Sequence, residues 1–245
     1  MSQAKQNRFE KKAKNILKYL KSDIRYDQNF LPRPFFIEIT GSPASGKTTT
    51  ITELDKFFRR MGFRVYRPQE GAEVIRHVSR STPLYNIRTG LYALEMLIDL
   101  SNSHKYDLVI FDRSIFDTYA WMMYWHDKGH IPESHKKYNQ NFFLQNFWVD
   151  NMDAVYFMVC DVEETMRREL RIALSDKLGE TTNPETVKKL ADRYKRAYEE
   201  LSPRYKQLRL IDTAKMNEKE MVEYVASMTL DALEKKATER RRQNV

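Results

Sequence analysis

Five short apolar runs punctuate the chain: FFIEIT (35–40), FRVYRP (63–68), DLVIFD (107–112), AVYFMVC (154–160) and LRLID (208–212). Each is shorter than an ordinary helix and rich in β-branched and aromatic residues, so each predicts a strand. Between them the period lengthens. TTTITELDKFF sets Ile51, Leu54, Phe57 and Phe58 on one helical face, with Gly62 placed to close the helix. YNIRTGLYALEMLIDL and DTYAWMMYWHDKG repeat apolar residues at the same spacing, and the second also ends in glycine. Asn217, with Glu220 three residues on, reads as the capped start of a last helix. Strand and helix alternating in this way predict a parallel sheet with helices on both faces. No repeat or low-complexity linker interrupts the pattern, so one domain is expected.

Ahead of the first strand, Phe9, Ala13, Ile16, Leu17, Leu20 and Ile24 fall on one face of a lysine-rich helical segment. Two readings stand open for it. It packs across the body or onto a second subunit, forming a homodimer, or it is a basic arm for a membrane surface or nucleic acid.

The stretch GSPASGKTTT, residues 41–50, adds chemistry to the pattern. It has the form G-x-x-x-x-G-K-[ST] between a predicted strand and a predicted helix, the context in which this motif cradles phosphates. Gly41 and Gly46 permit a tight loop whose backbone N–H groups converge on an anion, through Ser42, Pro43, Ala44 and Ser45. Lys47 reaches the terminal phosphates, Thr48 offers a hydroxyl to Mg²⁺, and Thr49 continues into the helix whose positive end faces the nucleotide.

Composition narrows the partners. The net charge is +8 over 245 residues, but it is carried at the two ends. Residues 1–22 hold seven Lys/Arg against one Glu, and residues 234–245 five against two, leaving the body essentially neutral. A fold that reads nucleic acid usually carries its basic stripe on the fold, so weak nucleic-acid contact is expected only through the termini. No apolar stretch is long enough to span a bilayer and no signal peptide is visible. The single cysteine, Cys160, lies in an apolar run; a reducing, cytoplasmic setting is expected.

Further candidates cluster at predicted strand ends, the rim where open α/β sheets bind ligands. Asp112 ends the third strand and suits Mg²⁺, or alternatively caps the next helix; Arg113 beside it suits an anionic or hydroxyl-bearing acceptor. Arg67 and Glu70 follow the second strand, where a carboxylate can take a proton from an acceptor hydroxyl; Arg76 lies just beyond. Arg167, Arg168 and Arg171 precede a Gly/Thr/Asn/Pro loop and suit a lid that neutralises a transferring phosphoryl group, or pair with Glu163, Glu164 and Glu169. Tyr92, Trp121 and Tyr124 are candidates to flank an acceptor base, and candidates for core packing.

With these residues in view, the chain resembles the deoxynucleoside kinase and thymidylate kinase branch of P-loop phosphotransferases over residues 35–235. The resemblance rests on GSPASGKTTT, RPQEG, DRSIFDTYAWMMYWHDKG, DVEETMRRELR, RYKRAYEEL and LRLIDT. It implies a three-layer α/β fold with a five-stranded parallel sheet in the order 2-3-1-4-5 and a helical lid. The implied organisation is an N-terminal helical extension (1–30), a kinase domain (31–235, lid 166–184) and a basic tail (236–245). It further implies ATP and Mg²⁺, with Lys47 and Thr48 on phosphate and metal, Glu70 as base, Asp112 on metal or as the base's partner, and Arg113 on the acceptor. Arg167, Arg168 and Arg171 follow as the lid arginines, with Arg168 on the nucleotide. Two departures stand out: the proline precedes Glu70 rather than following it, and RRELR lacks the glycine of the usual R-G-R lid. The expected activity is phosphoryl transfer to a small nucleoside or nucleoside monophosphate, with thymidine or dTMP favoured. The rivals are a 5′-hydroxyl polynucleotide kinase and a nucleotide-gated interaction protein.

Overall fold

The computed structural model describes residues 3–21, 33–172 and 183–243. Along the chain run α1 (Gln3–Lys21), β1 (Phe35–Gly41), α2 (Lys47–Arg60), β2 (Val65–Tyr66), α3 (Gly71–Val74), α4 (Pro83–Ser101) and β3 (Leu108–Asp112). They are followed by α5 (Ile115–Asp127), α6 (Glu133–Phe143), α7 (Asn146–Val149), β4 (Met152–Val159), α8 (Val162–Ile172), α9 (Pro184–Leu201), β5 (Leu208–Asp212) and α10 (Glu218–Gln243). The five strands form one parallel sheet in the order β2-β3-β1-β4-β5, the expected order.

β1 is the central strand, and every residue of it is buried. Alternation along it sends Phe35, Ile37 and Ile39 into a core with α1, α2 and α10, and Phe36 into a second core with α4, α5 and α9. The same alternation carries Glu38 and Thr40 into the protein beside Phe36. Register places Ile39 opposite Asp112 of β3 and Gly41 opposite Met158 of β4, so the phosphate loop leaves the sheet between the two neighbouring strand ends.

The second strand is much shorter than FRVYRP suggests. Only Val65 and Tyr66 pair, with Leu108 and Val109. It is an edge strand, Phe63 is instead packed edge-on against Phe58 at 5.3 Å, and Pro68 brings no N–H to extend the ladder.

α1 packs on the body. Ala13 and Ile16 are fully buried in the first core, and Phe9 and Leu17 lie against it; the Leu20 side chain and Ile24 lie outside the described residues. Its lysines meet α10: Lys5 lies 2.5 Å from Glu223, and Lys12 pairs with Asp231 and, at 2.8 Å, with Glu234. The segment expected as an extension therefore completes the hydrophobic core of the domain.

α10 runs on through most of the segment expected as a basic tail. Its start is the expected capping box, Asn217 N–H donating to Glu220 and Glu220 N–H to Asn217 Oδ1, both at 3.0 Å. It then runs unbroken to Gln243, with Ala237 buried, so residues 236–243 are helical turns rather than a separate tail. EKKATERRRQ has no glycine or proline to stop it.

Because Ile16 is buried among α2 and α10 side chains, Ile16→Ala is expected to destabilise the whole domain by about 2–5 kcal/mol. Urea unfolding followed by circular dichroism should show one cooperative transition at lower denaturant; a second, separate transition for α1 contradicts the shared core.

Candidate active site

β1 ends at Gly41, whose φ is +136° and whose missing Cβ would stand 1.7 Å from the Met158 carbonyl oxygen. No other residue fits between the two strands there. The loop then turns through Ala44 at φ +47° and Gly46 at φ +88° before α2 begins. Gly46 caps α2 without a side chain, which leaves the first N–H groups of the helix open toward the loop. Ser42 and Ser45 brace the turn: Ser42 Oγ accepts from Cys160 N–H at 3.2 Å, and Ser45 Oγ donates to Ser42 O at 2.8 Å.

Lys47 folds back into this turn. Its ammonium is buried and donates to Ser42 O at 2.6 Å. Burial, with Arg113 nearby, holds its pKa down at about 8, against the pull of Asp112, Asp117 and Glu70. A cation in such a place is stabilised by whatever anion enters the loop.

Two spaces meet at the loop. A cavity of about 420 Å³ opens between the loop, the end of β3, α3, α4 and α5; a wider groove of about 830 Å³ lies on the other side, against α8 and the start of α10. Ala44, Lys47 and Thr48 line both.

Three of the cavity's four carboxylates, Glu70, Asp112 and Asp117, sit around Arg113. This residue has φ +64°, an uncommon conformation for a side chain of its size, with its N–H tied to Ile39 O at 3.1 Å. Its guanidinium donates to Glu70 at 3.3 Å and lies 3.9 Å from Asp117, and its buried Nε has no hydrogen-bond partner. Burial opposes its charge, but Asp117, Tyr194 and Glu70 outweigh that and raise its pKa. Burial likewise pushes the Glu70 and Asp112 carboxyls up from the usual carboxylate range, against Arg113 and Lys47. Among the buried polar atoms that lack partners, Tyr85 Oη, Arg113 Nε, Ser114 Oγ and Trp121 Nε1 belong to residues that line this cavity. Orphaned groups at a cavity wall are places for a polar ligand to fill.

A family model described as an AAA domain matches residues 36–219. The chain belongs to that family. Among solved structures, its fold is similar to deoxyadenosine kinase from M. mycoides with dCMP and a flexible dCDP bound: TM-score 0.54, 16% identity, covering 80% of this chain and 98% of that one. It is also similar to thymidylate kinase from Candida albicans, with TM-score 0.53, 15% identity, and 82% and 94% coverage. A second deoxyadenosine kinase structure, with dCTP bound, gives 0.51 at 17% identity over 80% and 98%. No curated protein sequence matches. At such identities the likeness is one of fold: a P-loop nucleoside or nucleotide kinase fold.

Of the residues singled out from the sequence, Gly41, Pro43, Ala44, Lys47, Thr48, Glu70, Tyr92, Asp112, Arg113 and Trp121 all reach the cavity. Gly46, Thr49, Arg167, Arg168 and Arg171 line the groove. Arg67 and Arg76 do not line the cavity. Arg67 turns toward Asp55 of α2 at 3.9 Å, and Arg76 folds back on α3 to donate to Glu73 O at 2.9 Å. Tyr124 is packed, edge-on to Trp121 and Trp125 at 5.0 Å and under the Arg193 guanidinium at 4.8 Å.

Arg168 has a different job from its neighbours. It donates to Glu164 at 2.7 Å, to Ala44 O at 3.0 Å, and to Thr213 O and Met216 O at 2.8 and 3.2 Å, with Thr213 Oγ1 at 3.3 Å. The fork thus ties the phosphate loop's left-handed residue to α8 and to the segment after β5. Its donors face protein oxygens, while its side chain also lines the groove. Arg167 pairs with Glu164 at 2.6 Å and Arg171 with Glu218 at 3.2 Å. Residues 173–182 of the expected lid lie outside the described residues.

Two buried acids were not anticipated. Glu38 accepts from the N–H groups of Ser114, Phe116 and Asp117 at 2.9, 3.2 and 2.8 Å, capping α5 from inside the sheet. Burial, with Asp117 adding, raises its carboxyl to about 8 against those three donors. Asp117 accepts from Thr40 at 2.5 Å and Tyr194 at 2.7 Å and faces Arg113. The one available signal was a glutamate within an otherwise apolar strand, FFIEIT.

Arg168→Lys should keep the charge but lose the tether, because one ammonium cannot span five oxygen partners. The expected result is at least about a tenfold loss of affinity for a non-hydrolysable ATP analogue. Titration calorimetry checks it; near wild-type affinity contradicts the role.

Proposed function

We propose that this chain is an ATP- and Mg²⁺-dependent kinase that transfers the γ-phosphoryl group to a small nucleoside or nucleoside monophosphate, with a thymidine- or dTMP-like acceptor favoured. The observation that carries this reading is that one phosphate loop, with Lys47 and Thr48, borders two separate spaces. A donor bound along the groove and an acceptor bound in the cavity meet at the same ammonium. The fold neighbours support it, since they are kinases of deoxyadenosine and thymidylate and two of their structures hold deoxynucleotides.

Each residue's part follows from its surroundings. The open N–H groups of the loop and of α2 hold the phosphates, and Lys47 neutralises charge at the transferring group. The Thr48 hydroxyl and the Asp112 carboxylate line the same cavity beside it and are hard oxygen donors, which fits Mg²⁺. Bound there, Mg²⁺ supplies charge neutralisation between the phosphates. Glu70, held by Arg113 and pushed upward in pKa by burial, is placed to take the acceptor hydroxyl's proton. Arg113 orients the acceptor, and Arg167 and Arg171 close on the donor from α8.

The direct test offers labelled ATP with a panel of nucleosides, their monophosphates and a 5′-hydroxyl oligonucleotide. Rapid labelling of a nucleoside or monophosphate is expected. Labelling of the oligonucleotide alone, or slow hydrolysis without transfer, sinks the reading in favour of a polynucleotide kinase or a nucleotide-gated interaction protein.

The two carboxylates should fail differently. Asp112→Asn is expected to raise the Mg²⁺ concentration needed for turnover, since an amide is a poor ligand for a hard dication. Glu70→Gln is expected to leave ATP and Mg²⁺ binding alone and lower the transfer rate by about 10²- to 10⁴-fold. Turnover against Mg²⁺, with ATP affinity recorded for both, reverses the assignment if Asp112→Asn loses the chemical step at saturating metal while Glu70→Gln transfers normally.

Lys47 also makes binding pH-dependent. With its pKa lowered to about 8, the free protein holds this site half deprotonated near that pH. Entering phosphates favour the charged form, so binding takes up protons near pH 8 and affinity falls as pH rises above it. Calorimetry of a non-hydrolysable ATP analogue without Mg²⁺, in buffers of different ionisation heat, should show uptake near pH 8 that shrinks toward pH 7. Absence of uptake at pH 8 contradicts the buried-ammonium account.

A further inference from the structure

The α4–α5 wall of the cavity carries its own pattern of donors. Asn86 of α4 is buried, and Trp125 of α5 donates its indole N–H to Asn86 Oδ1 at 2.8 Å. With its oxygen engaged, the amide cannot flip without setting its NH₂ against the indole N–H, so its orientation is locked. Asn86 lines the cavity, and among the described residues no group accepts from its Nδ2. Trp121, one turn before Trp125 and lining the same cavity, carries the buried Nε1 that has no partner. The nearby hydroxyls of Thr89 and Thr118 already donate to the carbonyls of Asn86 and Ser114, at 3.1 and 3.3 Å. Their lone pairs and the buried, unpartnered Tyr85 hydroxyl of α4 are the acceptors left on this wall. Of the cavity's four carboxylates, Glu70, Asp112 and Asp117 gather instead around Arg113, and Glu169 belongs to α8 rather than to this wall.

We infer that Asn86, locked by Trp125, is a specificity-determining residue: with Trp121 it selects acceptors whose ring edge presents carbonyl oxygens and rejects those presenting an exocyclic amino group. The inference rests on the nucleoside or nucleotide acceptor proposed above and names which of its members fit. A carbonyl edge satisfies both N–H groups. An amino group in the same place meets two donors with a third, leaves them unpaired and brings like partial charges together. A site built to pair a polar edge discriminates strongly against its mismatched analogue, here by about tenfold or more.

The test compares deoxyuridine with deoxycytidine and deoxyinosine with deoxyadenosine, pairs that exchange a carbonyl for an amino group on the recognised edge. Each is offered as nucleoside and as 5′-monophosphate, with a non-hydrolysable ATP analogue present, and binding is measured by calorimetry so that catalysis does not enter. The oxo member of each pair should bind about tenfold or more tightly. Asn86→Asp keeps an oxygen for Trp125 and turns its second oxygen to the cavity, so the preference should reverse toward the amino member. Trp125→Phe frees the amide to rotate, and discrimination should collapse to within about threefold. Should that variant fold poorly, Asn86→Asp carries the test, being nearly isosteric. Equal binding within the pairs, or an Asn86→Asp protein that keeps the wild-type order, overturns the inference and leaves the acceptor class standing. Binding of none of the compounds overturns the acceptor class and the inference with it.

Discussion

A lysine ammonium buried at the mouth of a glycine-shaped loop is the constraint on which the rest of this site depends. Lys47 has one close carbonyl partner, Ser42 O, and its pKa is held at about 8 by burial. Such a charge is tolerated because an arc of carboxylates, Glu70, Asp112 and Asp117, lies within electrostatic reach. Those acids share their influence with Arg113, whose left-handed backbone is itself held by the bond from its N–H to Ile39 O. The balance is incomplete without an anion, and the loop's open N–H groups show where one goes.

Placement of these charges is the work of the two strands beside β1. Gly41 allows β1 to run against Met158 with no side chain between, which brings the loop directly out of the sheet's centre. β3 ends one strand away and delivers Asp112 and Arg113 to the same rim. Glu38 then fastens the start of α5 to β1 through three N–H bonds, fixing the helix that carries Asp117 and Trp121. From the opposite side Arg168 ties Ala44 to α8 and the segment after β5. The loop is thus gripped from both directions while its anion-facing groups stay open.

Most of the fold was legible in the sequence because its causes are local. The 3.6-residue spacing of Ile51, Leu54 and Phe58, the Asn217–Glu220 capping pair and the short apolar runs each act over a few residues. The phosphate loop was legible for a similar reason: ten consecutive residues contain its geometry. Failures came where a partner far along the chain decides. FRVYRP is the exception, losing most of its strand to near neighbours, Phe63 packing on Phe58 and Pro68 lacking an N–H. The basic end became helix because Ala237 is buried and Lys236 pairs with Asp153, 83 residues away.

By itself, the sequence determined the alternation of strand and helix, the parallel sheet and the phosphate-binding loop, since periodicity and a contiguous motif carry these. Tertiary structure alone decided which charged side chains share the site. Three neighbouring arginines, Arg167, Arg168 and Arg171, look alike in sequence and all line the groove, yet only Arg168 became a tether to Ala44. Glu38 and Asp117 gained their roles only when β1, α5 and α9 came together, because a carboxylate's function is set by what surrounds it. The direction of Asn86's amide was settled the same way, by an indole 39 residues along the chain.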